Sequence, residues 1–146
     1  MTFENTLFNN KDLEFQSKDM KYIDSLDGFQ FEDYLADMFK NMNFQVEQTK
    51  YSGDNGIDLI ISDDNISIGI QAKNYTSSKV GNDAVQKTYA GMVYYKCDKC
   101  VIITNSSFTK QAVELAENLN VILIDRVKFQ YILDNGKSEW ELILNN

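Results

Sequence analysis

The sequence predicts an α/β fold: a mixed central β-sheet, an antiparallel meander continued by parallel crossover strands, flanked by helices on both faces. Two observations predict it. Three segments with strand character, 44–49, 57–62 and 66–73, follow one another across short polar breaks, close enough to pair as a meander. Beyond them the pattern becomes helix, strand, helix, strand, with short buried runs at 101–104 and 121–124, and that spacing implies parallel crossovers.

Each element has its own signal. Residues 1–26 read as an N-terminal arm with weak helical patterning. Asp27 can cap the helix that follows, in which Phe31, Tyr34, Leu35, Met38, Phe39 and Met42 recur at helical spacing up to Asn43. Residues 44–49 alternate with period two, and 57–62 form a β-branched run of a more buried strand. Asp63-Asp64-Asn65 is a turn, and 66–73 alternate again. Val80, Ala84, Val85, Tyr89, Met92 and Val93 mark a second helix, and Phe108, Ala112, Leu115, Ala116 and Leu119 a third. A last helix is expected over 127–133, so that a core domain spans 27–135 and a C-terminal tail, 136–146, packs Trp140, Leu142 and Ile143 on it.

The chain has 146 residues, enough for one domain with a core of its own, and its hydrophobic fraction of 43% is that of a globular protein. No apolar run approaches the ~20 residues needed to cross a bilayer, and the first residues lack the pattern of a signal peptide. A soluble, cytoplasmic protein with no membrane partner is expected. The net charge of −8 argues against a protein that coats nucleic acid by electrostatics alone. It leaves open an enzyme with a local basic track and a metal. Cys97 and Cys100 form a Cys-x-x-Cys, but the chain has no histidine and no further cysteine. Packing is favoured over a zinc or redox site. General acid–base chemistry must then fall to carboxylates, lysine, tyrosine, cysteine or water activated by a metal.

The chemistry concentrates between Ser52 and Asn74. Gly53 and Gly56 bracket Asp54 and Asn55 in a structural turn, which lets the backbone reverse tightly. Asp58 opens the strand after it. Gln71 and Lys73 are two apart on the next strand and share a face, with Ala72 on the other. If the two strands pair through the turn at 63–65, Asp58 and Gln71 meet at one end of the hairpin. An acid, an amide oxygen and a cation would then stand at one point, the groups that hold a divalent metal beside a phosphate. Glu32, early in the first helix, reads on its own as an acid that complements the helix dipole.

Several motifs together resemble the Mrr-like restriction endonuclease catalytic domain of the PD-(D/E)xK nuclease superfamily. They are Gly28-x-x-Phe31-Glu32, Ser52-Gly53-Asp54-x-Gly56-Ile57-Asp58, Gln71-Ala72-Lys73, Lys79-Val80-Gly81-Asn82-x-Ala84-Val85-Gln86, Thr104-Asn105-Ser106-x-Phe108-Thr109-x-x-Ala112 and Leu123-Ile124-Asp125, in that order. The resemblance implies a restriction-endonuclease-like sheet and a metal-dependent DNA endonuclease of restriction or defence. Asp58 becomes the central metal-binding acid, and Gln71 stands where many superfamily members have a second acid. Lys73 becomes the lysine that orients the attacking water, and Glu32 an accessory ligand. Mg²⁺, with Mn²⁺ as a substitute, suits the oxygens of Asp58, Gln71, Glu32 and the Ala72 carbonyl. Lys50, Ser52, Asn74, Tyr75, Lys79 and Gln86 flank the motif as candidate DNA contacts. Because one site cuts one strand, a homodimer or a partner subunit that supplies DNA recognition is expected. A junction resolvase or nickase on the same core, and a catalytically weak DNA-binding or regulatory module, are the alternatives.

Overall fold

The computed structural model describes residues 19–49 and 56–145. Its centre is a five-stranded sheet in the order β1-β2-β3-β4-β5, made of β1 (Gln45–Gln48), β2 (Leu59–Ser62), β3 (Ser67–Lys73), β4 (Lys99–Thr104) and β5 (Ile122–Ile124). β1, β2 and β3 pair antiparallel; β3, β4 and β5 pair parallel. The expected mixed sheet is therefore present, with strand ends one or two residues from those read in the sequence.

Helices cover both faces. On one lie α1 (Met20–Asp24), α2 (Gly28–Asn41), α5 (Arg126–Asn135) and α6 (Lys137–Leu144); on the other lie α3 (Asn82–Tyr95) and α4 (Lys110–Leu119). Alternation along the strands feeds two cores. Leu59, Ile61, Ile68, Ile70, Val101 and Ile103 face the first, while Cys100 and Ile102 face the second together with Ile57, Val80 and Val85. α2 begins in a capping box, with the Asp27 carboxylate accepting from Gln30 N at 2.8 Å and the Gln30 amide oxygen accepting from Asp27 N at 2.9 Å. Its apolar stripe buries Phe31, Leu35 and Phe39 completely.

Three local departures have physical causes. Val80 and Phe108, read as the first apolar positions of helices, instead form an isolated parallel bridge, closed by Val80 N to Ser107 O at 2.8 Å and Thr109 N to Val80 O at 3.0 Å. Helix α4 starts later, where Thr109 caps the N–H of Ala112. The tail is a helix, which buries Trp140 but turns Leu142 out to solvent, against the expectation that it packs on the core. Gly136, at φ +65°, breaks the chain between α5 and α6 and turns Trp140 back into the core, where it meets Phe39 edge-on at 4.8 Å. At the other end, Met20 and Ile23 of α1 are buried in the same cluster, so packing is continuous across residue 27.

Candidate active site

Asp58 sits one residue before β2, and the sheet holds it from two sides. Its N–H donates to Ile70 O at 2.8 Å, and its carbonyl accepts from Thr49 N at 2.9 Å. Leu59 pairs with Ile70, so the next step of the register sets Asp58 opposite Gln71. Its side chain then takes the place of a strand partner: Oδ2 accepts the N–H of Ala72 at 2.8 Å. Burial pushes the Asp58 carboxyl above its ordinary value, while the Ala72 N–H and the charge of Lys73 pull it back.

Gln71 is buried, 9% exposed, and its Oε1 has no hydrogen-bond partner among the described residues. Such an orphaned acceptor costs about 1–3 kcal/mol. Lys73, half-buried at the end of β3, points to the same face of the strand. The N–H of Ala72 is turned toward Asp58, and its carbonyl faces the same edge, as both groups of a strand residue do. Glu32 enters from α2. Burial first, then the negative charges of Asp58 and Asp33, push its carboxyl up to about 7. The two acids are thus close enough to oppose each other's ionisation.

These groups fit a small, hard divalent cation. Asp58, Glu32, the Gln71 amide and the Ala72 carbonyl offer only oxygen, the donor set of Mg²⁺. The orphaned Gln71 Oε1 and the two raised carboxyls are both relieved by a positive charge at this point. Among the described residues no three Cys, Asp or Glu side chains converge as a metal cluster, as expected where glutamine replaces a second acid. Cys100 is buried in the second core with its thiol pushed up to about 12 by burial, and Cys97 is raised too, so neither is a ready thiolate.

The flanking residues divide. Gly56 is structural: it has φ +75°, and a Cβ there would lie 1.9 Å from the Lys87 carbonyl oxygen. Lys50, Ser52, Gly53 and Asp54 lie outside the described residues. Lys79 and Gln86 are exposed, and Tyr75 and Lys79 line a cleft of about 630 Å³ next to the site. Asn74, a candidate DNA contact, is engaged within the fold. Its amide donates to Leu26 O at 2.9 Å and Ile23 O at 3.4 Å, and its Oδ1 accepts from Asn105 at 3.1 Å. It fastens α1 to the end of β3, with both amide N–H groups committed to backbone carbonyls. Sequence reasoning also missed Asp24, Asn105 and Arg126, which line the same cleft. The signal for Arg126 was available, since it is the only arginine in the chain.

A family model described as a restriction endonuclease, Mrr_cat, matches residues 23–133. The Type IV methyl-directed restriction enzyme EcoKMrr of Escherichia coli (strain K12) is 31% identical over an alignment of 86 residues that covers 56% of this chain and 28% of that enzyme. The chain therefore spans well under a third of the length of that curated relative. Among solved structures, the DNA modification-dependent restriction endonuclease AspBHI superposes with a TM-score of 0.64 at 16% identity, covering 93% of this chain and 39% of that one. The MspJI restriction endonuclease in complex with a 27-mer oligonucleotide gives 0.52 at 21%, covering 86% and 33%. A protein of unknown function, AF1548, gives 0.56 at 18%, covering 78% and 63%. At these identities the structures speak for the fold alone.

Proposed function

The chain belongs to the Mrr-like restriction endonuclease family, and we propose that it is a metal-dependent endonuclease that hydrolyses phosphodiester bonds in DNA as part of restriction of foreign DNA. One observation carries the reading: the Asp58 carboxylate, fixed on the Ala72 N–H, stands opposite a buried Gln71 whose amide oxygen has no partner among the described residues. Bound there, Mg²⁺ would supply positive charge to the phosphate oxygens and lower the pKa of water. The chain's own residues do the rest. Asp58, Gln71 and the Ala72 carbonyl present oxygens from two neighbouring strands, and Glu32 adds a second carboxylate from α2. Lys73 places its ammonium beside the phosphate, where it orients the attacking water in line with the leaving 3′-oxygen and offsets charge that develops on phosphorus.

One such site cuts one strand, so a double-strand break needs two protomers or a partner. The methyl-directed and modification-dependent character in the names of two similar enzymes suggests that modified DNA is the substrate to try first. The test is cleavage of methylated and unmethylated plasmid in Mg²⁺ and in Mn²⁺, with Asp58→Ala and Lys73→Ala. Each substitution should lower the rate at least 100-fold. Cleavage that survives both would remove the site from this place in the fold. Preferential cutting of branched DNA would select a junction resolvase instead.

A further inference from the structure

The cleft beside the site lies where β3, β4 and β5 end, and Ser77, Ser78, Lys79, Ser106 and Ser107 are among its lining residues. At its mouth, three donors converge on one carboxylate. Arg126 gives Nη1 to Asp24 Oδ1 at 2.7 Å and Nη2 to Oδ2 at 2.9 Å, and Asn105 gives Nδ2 to Oδ1 at 3.0 Å. A guanidinium fork plus an amide N–H is the donor set that also recognises a phosphate.

The donors are built in, whereas the carboxylate is not. Asn105 is buried, and its Oδ1 accepts the Tyr75 N–H at 2.8 Å, so its NH₂ must face the cleft. Arg126 is anchored independently of Asp24, because Nη1 also donates to Asn105 O at 2.9 Å. Asp24, by contrast, ends the five-residue helix α1, and its side chain remains 40% exposed in the pair, against 46% for Arg126. Both partners are open to water, so another anion can reach the guanidinium and compete with the Asp24 carboxylate. One further acid lines the cleft: Asp125, whose carboxylate is engaged by Lys128 N as the cap of α5.

We propose that Arg126 and Asn105 form a second phosphate site, for a backbone phosphodiester of the DNA strand that continues from the active site, and that the Asp24 carboxylate occupies it until DNA arrives. The inference rests on the nuclease reading of Asp58, Gln71 and Lys73. Lys73 pairs with Thr104, one residue before Asn105, and Arg126 stands two residues beyond β5. Two strand spacings separate β3 from β5, ~9–10 Å, so both sites lie along one edge of the sheet, within reach of one DNA strand. Lys79, with no ion pair among the described residues, lies on the same wall.

The experiment is equilibrium binding of a labelled 20-base-pair duplex, with Ca²⁺ in place of Mg²⁺, across a salt series. Arg126→Gln should weaken binding about tenfold and reduce the slope of log K against log salt by ~0.9. Asp24→Asn should tighten it two- to fivefold, the range that an exposed ion pair corresponds to. That gain should vanish in the Arg126→Gln background, whereas a general charge effect, monitored by the distant Glu117→Gln, would persist there. Should Arg126→Gln unfold, Arg126→Lys keeps the charge and loses the fork, and an intermediate weakening is expected. Wild-type binding and cleavage with no response to either substitution would overturn the second site alone. A wild-type chain that neither binds nor cuts DNA would overturn the nuclease reading with it. Displacement of the duplex by millimolar inorganic phosphate, in an Arg126-dependent way, would make this a site for free phosphate and refute the DNA assignment.

Discussion

Replacing Glu32 by glutamine should make the metal-free protein more stable at pH 8, although it removes a residue of the proposed active site. A carboxyl at about 7 in the folded state and 4.5 when unfolded binds more protons in the native state. Stability is then fully present below pH 4.5 and is lost as pH rises toward about 7. At 1.36 kcal/mol per tenfold change the ceiling is about 3.4 kcal/mol, and solvent screening around a half-buried side chain reduces it to about 1–2 kcal/mol. Glu32→Gln removes this loss. Asp58, raised for the same first reason, remains in both proteins, so the difference between them reports Glu32 together with its coupling to Asp58.

Urea unfolding in EDTA at pH 4.5, 6 and 8 measures the effect. The variant's advantage should grow by about 1–2 kcal/mol across that range. Added Mg²⁺ should narrow the gap, because the wild type then gains a charged ligand. With free Mg²⁺ at ten times its Kd the gain is about 1.4 kcal/mol, and the variant should gain less. Parallel pH profiles in EDTA would refute the claim that Glu32 is desolvated beside Asp58 and, with it, the place of Glu32 in the site.

Two further outcomes are expected. Gln71→Glu adds a third carboxylate beside Asp58 and Glu32, so half-maximal cleavage should need about tenfold less Mg²⁺, while the midpoint of thermal unfolding in EDTA falls; an unchanged Mg²⁺ requirement would place Gln71 outside the metal's reach. Gly56→Ala puts a methyl group 1.9 Å from the Lys87 carbonyl oxygen at a positive φ, and should cost at least about 2–3 kcal/mol in urea unfolding.

The opposition of Asp58 and Gln71 was legible because it depends on local lengths. The turn at 63–65 and the strands around it fix the register, with Ser62 on Ser67 and Leu59 on Ile70, and the next pair is the site. Lys73 follows from the period of two. What the sequence hid was set by distant chain. Asn74 looks like a free polar residue after the motif, yet its partners Ile23, Leu26 and Asn105 lie 51, 48 and 31 positions away. The pair of Arg126 with Asp24 spans 102 positions, and no local pattern announces it. Val80 and Phe108 carry helical spacing, but a long-range bridge claims them first. Trp140 could be read as buried, while the turn that makes its segment a helix depends on Gly136 at φ +65°.

Where the fold violates its own rules, the violations at the strand ends converge. Asp58 and Glu32 are carboxyls held above their ordinary values, largely by burial, and Gln71 is a buried acceptor with no donor among the described residues. An orphaned polar atom alone marks no site, since Thr88 Oγ1 and Trp140 Nε1 are orphaned as well. Neither combines with two carboxyls that resist ionisation. Gln71 sits with both on a strand whose Ala72 N–H already engages Asp58. A single cation there would draw both carboxyls toward ionisation and give the amide oxygen its partner. The glutamine also limits the strain. A second acid on β3 would add like charge to a pair that is already opposed, so an oxygen without charge trades metal affinity for stability of the empty site.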